Sequence, residues 1–310
     1  MEKGCMLCPR CCGVDRASGA RGACRMGDEI RVARASLHSF EEPCISGSRG
    51  SGTVFFVGCS LGCIYCQNRA IREPECGVPL DERALAALFL FLQERGAHNV
   101  NLVTATHFAD RASRALRLAR PKLHIPVVYN CGGYERVETL RLLEGLVDVY
   151  LPDFKYISPE LARLCSAAPD YAEYASAALA EMYRQVGGVR FDEDGMLARG
   201  VLVRHLVLPG YRADSIAVLQ RIAATVPPAQ IRLALMRQYT PDFTPQDAPR
   251  SLRRRVTSFE YEAVMQEAER LRFEGYYQGK DSASAAYTPD FAETEILADF
   301  LHELRANGGY

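Results

Sequence analysis

Cys59, Cys63 and Cys66 stand in a C-x3-C-x2-C arrangement inside the short segment Gly58-Cys-Ser-Leu-Gly-Cys-Ile-Tyr-Cys-Gln-Asn68. A cubane cluster has four irons, so three thiolates hold three corners and leave the last iron to a ligand that is not protein. An open coordination position marks catalysis rather than storage, by the logic that separates catalytic from structural metal sites. The amino and carboxylate groups of S-adenosylmethionine suit that position. Its sulfonium, placed beside the cluster, would take one electron and split into methionine and a 5'-deoxyadenosyl radical. The chain's share of such chemistry is to place the cofactor, tune the potential and exclude water. Gly58 and Gly62 let the loop backbone approach the cluster with its amides facing sulfide. The bland alternative is three structural or zinc-binding cysteines, and both the spacing and the position after a strand count against it.

Residues suited to hold the cofactor end several apolar runs. In Leu151-Pro-Asp-Phe-Lys-Tyr156, period-two alternation puts Asp153 and Lys155 on one face, turned inward if Phe154 packs outward. Such a pair suits a zwitterionic amino acid, the carboxylate accepting from an α-amino group and the ammonium pairing with a carboxylate. A mutual structural ion pair is the competing reading. Arg204 shares a face with Leu206 and is placed to contact methionine carboxylate or ribose, whereas His205 points away and reads as a core or surface histidine. Gln238 is a candidate ribose or adenine contact. Thr104, Thr106, His107 and Asn130 form a polar crevice for the amino group or substrate, with ordinary loop-start hydrogen bonding as the alternative for each. Cys131 reads as packing, or as a hydrogen donor to a radical.

A second group of thiols lies near the N-terminus, in Cys5-Met-Leu-Cys8-Pro-Arg-Cys11-Cys12 and then Cys24. Cys5, Cys8, Cys12 and Cys24 are assigned as ligands of a saturated site, zinc or a second iron-sulfur cluster, with Cys11 as an alternative to Cys12. Cys44 is a further substitute. A Gly-rich segment without its own apolar core needs such a staple. Cys76 and Cys165 look incidental.

The elements that must position these residues follow from the hydrophobic pattern. Strands are expected over Thr53–Gly58, Asn99–Thr106, Pro126–Cys131, Val147–Phe154, Val201–Pro209 and Ile231–Tyr239. Helices are expected over Asp81–Arg95, Asp110–Ala119, Glu135–Leu143, Tyr171–Gln185 and Asp214–Thr225, several opened by an Asp suited to an N-cap. Repeated βα order predicts an α/β fold, an open partial (β/α)6 parallel barrel, with a flat doubly wound sheet as its competitor. Either gathers the strand C-terminal ends at one rim, where distant residues meet. Residues 1–50 form a Cys-rich metal-binding segment and 51–245 the barrel. Residues 246–310 form a helical extension carrying Phe259–Phe273 and Phe291–Leu304.

The remaining composition narrows the partners. In 310 residues, Lys+Arg 37 against Asp+Glu 38 gives a formal charge of -1, so no global field favours nucleic acid or an anionic membrane. The longest apolar run, Ala84–Leu92, is too short to span a bilayer. With no export signal at the N-terminus, a cytoplasmic location is expected and the twelve cysteines suggest metal ligation before disulfides.

Taken together, Cys5-Met-Leu-Cys-Pro-Arg-Cys-Cys-Gly-Val-Asp15, Glu41-Glu-Pro-Cys-Ile-Ser-Gly47, the three-cysteine loop, Leu151–Tyr156, Arg204-His-Leu-Val-Leu-Pro-Gly210 and Gly275-Tyr-Tyr-Gln278 carry a resemblance. The chain resembles the proteins related to pyruvate formate-lyase activating enzyme (PflX-like) within the radical S-adenosylmethionine superfamily. The resemblance implies that Asp153, Lys155 and Arg204 contact the methionine part of the cofactor. It also implies a flavodoxin or ferredoxin reductant and hydrogen abstraction, with a glycyl radical enzyme as partner. Activating enzymes usually carry Gly-Gly-Glu on the second barrel strand, where this chain has Thr104-Ala-Thr-His107. The alternatives are radical chemistry on a small molecule or peptide, and a non-catalytic iron-sulfur electron carrier.

Overall fold

The computed structural model describes residues 4–279, 291 and 295–306. Its strands, in chain order, are β1 (Ile30–His38), β2 (Ser51–Phe56), β3 (Val78–Leu80), β4 (Val100–Val103), β5 (Val127–Cys131), β6 (Val149–Pro152), β7 (Arg190–Phe191), β8 (Leu197–Leu206), β9 (Arg232–Met236) and β10 (Gly275–Tyr277). They form one sheet in the order β10-β9-β8-β6-β5-β4-β2-β1-β3, with β7 hairpinned onto β8. Every neighbouring pair from β2 to β10 along this path is parallel. β1 runs antiparallel to β2, and β3 antiparallel to β1. No pairing joins β10 to β3 among the described residues, so the barrel stays open.

All six expected strands are present, because their β-branched and aromatic side chains are covered on both faces, as crossover connections require. Each residue of β2, β4 and β6 is buried. β1 and β3, which the sequence reading left without structure, extend the sheet beyond β2. Their signal is weak, since the alternation of β1 is broken by Arg31 and Arg34 and by a bulge between Val32 and Arg34.

The helices are α1 (Pro43–Ser46), α2 (Glu82–Glu94), α3 (Ala109–Ala119), α4 (Val137–Arg141), α5 (Pro159–Ser166), α6 (Tyr171–Val186), α7 (Arg212–Thr225), α8 (Ser258–Arg270) and α9 (Glu295–Ala306). Of the expected Asp caps, Asp81 performs as such, accepting from Ala84 N at 2.8 Å. Asp214 lies inside α7 and instead accepts from the backbone of Ile157 and Ser158, fastening the chain after β6. The helix expected from Glu135 starts only at Val137, because Glu135 is drawn into the core. The last helix was expected from Phe291, and part of that span lies outside the described residues. Among the described residues, no helix is long and apolar enough to cross a membrane.

Candidate active site

The loop after β2 carries the three cysteines over the strand ends. Gly58 holds φ +88°, and a Cβ there would stand 2.4 Å from Met26 Cγ and 2.8 Å from the Cys24 carbonyl oxygen, so the loop turns only because this residue is glycine. Leu61 N lies 3.4 Å from Cys59 Sγ, and Cys66 N donates to Cys63 O at 3.2 Å. The Ser166 hydroxyl donates to Cys63 Sγ at 3.1 Å, with Tyr156 OH 3.0 Å behind it and Tyr65 OH bonded to Tyr156. A hydrogen-bonded chain at a thiolate ligand is a means of tuning a cluster's potential.

All three cysteines line one cavity of about 460 Å³, within the range of cofactor pockets. Burial, then the neighbouring Cys63, lifts the Cys59 thiol; burial, then Cys63 and Cys59, takes Cys66 up to about 12. Such a set becomes thiolate when cationic iron supplies the missing charge. Three thiols on one short loop facing one cavity suit three corners of a cluster, whose irons are spread over its corners.

Asp153 and Lys155 project into the same cavity, and Phe154 between them is buried against the core, as the alternation predicts. Lys155 Nζ donates to Asp153. Burial disfavours the ammonium, but Asp153 and the Cys63 and Cys66 sulfurs outweigh that and hold Lys155 above its ordinary pKa, so it stays charged beside the three-cysteine loop. Tyr171 from α6 fixes the pair's backbone: its hydroxyl accepts from Lys155 N at 3.0 Å and lies 2.8 Å from Gly132 O and 3.0 Å from Asp153 O.

Arg204 lines the cavity one strand over, and Phe154 N donates to its carbonyl at 2.8 Å. Its guanidinium is already engaged: Nε donates to Glu42 Oε1 at 2.7 Å, Nη2 to Glu42 Oε2 at 2.5 Å, and Nη2 also to Glu41. All three side chains are nearly buried, at 12%, 8% and 8% exposure. Glu41 also accepts from Asn101 Nδ2 at 3.2 Å and from Asn130 Nδ2 at 3.5 Å. The sequence reading assigned no chemistry to Glu41 and Glu42. Their segment, Glu41-Glu-Pro-Cys-Ile-Ser-Gly47, entered only as part of the resemblance and through Cys44.

The remaining candidates divide. Thr104, Thr106, Asn130 and Gln238 line the cavity, and Gln238 Oε1 accepts from Gln278 Nε2 at 2.8 Å. His107 does not join them. It is buried behind the rim, outside the cavity lining, with Nε2 2.7 Å from Val57 O, and burial takes it down to about 4. His205 is likewise buried, Nδ1 2.7 Å from Phe154 O and pushed down to about 4 by burial. Cys131 is at the cavity wall, its thiol raised by burial and then by Glu135.

Glu135 is fully buried beneath that wall, accepting from Thr106 Oγ1 at 2.6 Å and Tyr129 OH at 3.3 Å. Burial pushes its carboxyl up to about 7 against those hydrogen bonds and that of Cys131. The folded pKa lies above the unfolded one, so this group's stabilisation is complete below pH 4.5 and is lost as pH rises towards 7. Glu135→Gln should therefore remove a loss of about 3 kcal/mol across that window, read from urea unfolding at a series of pH values. Parallel curves for the two proteins would refute the assignment.

Of the N-terminal thiols, Cys8 and Cys24 are buried, whereas Cys11 turns its Sγ to Cys8 O at 3.5 Å. Cys44 does not substitute for any of them: it packs in a separate apolar cluster with Ile45, Val128 and Val149, and Tyr276 is its polar neighbour.

A family model described as the radical SAM superfamily matches residues 53–217, just over half of the chain. The chain belongs to the radical SAM superfamily. Radical SAM proteins use a 4Fe-4S cluster and S-adenosylmethionine. The three-thiol loop and the polar cavity beside it have the donor types these two groups require. An uncharacterised protein of Methanocaldococcus jannaschii is 28% identical over 283 residues, spanning 89% of this chain and 77% of its own length. A radical SAM methyltransferase from Sphaerobacter thermophilus is similar in structure, with a TM-score of 0.49 and 14% identity over 76% of this chain and 69% of that one. Methylornithine synthase is similar at a TM-score of 0.48 and 15% identity, over 81% of this chain and 79% of its own.

Proposed function

We propose that this radical SAM protein reductively cleaves S-adenosylmethionine and uses the resulting radical to abstract hydrogen from a second substrate. The observation that carries the reading is the convergence of Cys59, Cys63 and Cys66 with Asp153 and Lys155 on one cavity. When bound, the cluster supplies the electron that breaks a carbon-sulfur bond and leaves a 5'-deoxyadenosyl radical. Asp153 accepts from the α-amino group of methionine and Lys155 pairs with its carboxylate, each exchanging its present partner for a ligand group of the same charge. Asn130, Thr104, Thr106 and Gln238 supply neutral contacts along the wall. A flavodoxin or ferredoxin is the proposed electron donor.

The resemblance makes a glycine Cα of a glycyl radical enzyme the first candidate hydrogen donor. A small molecule or peptide bearing an amino group is the second, and Glu41 and Glu42 favour it: two carboxylates meet one guanidinium in the cavity wall, leaving negative charge for a cation. The reconstituted, reduced protein should produce 5'-deoxyadenosine from S-adenosylmethionine. Deuterium should appear in that product from a glycyl radical enzyme made with deuterated glycine, or else from deuterated amines or peptides. Cofactor binding without any 5'-deoxyadenosine would instead support the electron-carrier reading.

A further inference from the structure

The N-terminal cysteines are folded into a receptacle next to the cluster loop. Cys5 N donates to Val14 O at 2.9 Å and Gly13 N to Cys5 O at 3.1 Å, closing the segment into a loop that carries Cys5, Cys8 and Cys12. A second turn, in which Arg25 N donates to Gly22 O at 2.9 Å and Gly22 N to Met26 O at 3.0 Å, presents Cys24. A Cβ on Gly22 would stand 3.0 Å from Cys12 Sγ and 3.7 Å from Cys24 Sγ, so both sulfurs lie over this one glycine. Cys5, Cys8, Cys12 and Cys24 each act electrostatically on others of the set, so the four thiols share one neighbourhood. Cys11 turns its thiol to the Cys8 carbonyl oxygen at 3.5 Å instead.

We propose that Cys5, Cys8, Cys12 and Cys24 hold an iron-sulfur cluster that passes electrons to the cluster on Cys59, Cys63 and Cys66. Its position against the three-cysteine loop suits a redox group in electronic contact with that loop more than a structural zinc. Four thiolates fill the coordination positions, which suits electron transfer without substrate binding.

The two loops also touch. Cys59 N donates to Cys24 O at 3.4 Å, so the path from one sulfur to the other crosses a single hydrogen bond. Arg10, between Cys8 and Cys11, donates to Ser60 O at 2.9 Å and to Ser166 O at 2.6 Å, tying the quartet to the loop and to the residue that hydrogen-bonds Cys63. One electron enters from a low-potential donor protein and one leaves to the triad cluster, with no proton moved. The relay role rests on the reading of the triad given above, but the quartet site does not.

The test uses the full chain with Cys59, Cys63 and Cys66 all changed to Ala, purified anaerobically and reconstituted with iron and sulfide. The expected result is iron and acid-labile sulfide equal to one cluster per chain, with a paramagnetic signal on reduction, retained after Cys11→Ser and lost after Cys8→Ser with Cys24→Ser. A metal-free chain, or one zinc without sulfide, overturns the proposal. In the chain with the triad intact, Cys8→Ser with Cys24→Ser should slow reduction of the triad cluster by reduced flavodoxin at least tenfold while dithionite still reduces it. Unchanged flavodoxin kinetics overturns the relay role, whichever metal content is found.

Discussion

Cys63→Ala should lose the iron and sulfide of one cluster and all measurable cleavage of S-adenosylmethionine, a fall of at least about a thousandfold, or some 4 kcal/mol of barrier. Cys63 is the middle of the three thiols, interacts with both of the others and receives the Ser166 hydroxyl. Two remaining thiolates cannot hold three corners of a cubane. Cys76→Ala is the fitting control, because Cys76 lies outside the cavity with its thiol 3.3 Å from Ala70 O. Iron analysis and quantification of 5'-deoxyadenosine, with circular dichroism to verify folding, decide the matter. A Cys63→Ala protein that kept both cluster and product would refute the ligand assignment.

Arg204→Met is the second large change expected. It leaves the Glu41 and Glu42 carboxylates facing each other without a counter-charge in a nearly buried wall, a situation that costs about 3–5 kcal/mol. Adding Glu41→Gln and Glu42→Gln should recover most of that loss, because removing a whole buried ionic group is often close to neutral. The same pair of proteins separates two roles for Arg204. If it only holds the two carboxylates, the triple variant binds S-adenosylmethionine as the wild type does. If it also contacts the cofactor's carboxylate, the triple variant is stable but binds at least about tenfold more weakly. Loss of less than about 1 kcal/mol in Arg204→Met alone would refute the buried ionic group.

The residues whose place depends on local pattern were readable from the chain. A cysteine spacing after an apolar run, or Asp and Lys two apart at a strand end, needs only the period of the strand to be placed. Asp153, Lys155 and the three cysteines accordingly meet in one cavity. Residues whose role depends on distant partners were not. Glu41 and Glu42 meet Arg204 across more than 160 positions, and nothing near them in the chain announces it. Glu135 read as the opening of a helix because an acidic residue before an apolar stretch resembles a first turn. It went inward because Thr106 and Tyr129 offer it donors. His107 differs in the opposite sense: its place at a strand end suggested the cavity, but the short turn Thr106–Phe108 directs it to Val57.

The most direct test of the account is electron paramagnetic resonance of the reduced protein with and without S-adenosylmethionine, performed on the Cys8→Ser, Cys24→Ser background so that only the triad contributes. An iron left without a protein ligand predicts a reduced-cluster spectrum whose g-values shift when the cofactor is added. A spectrum indifferent to the cofactor, or a protein that holds zinc on Cys59, Cys63 and Cys66, would contradict it.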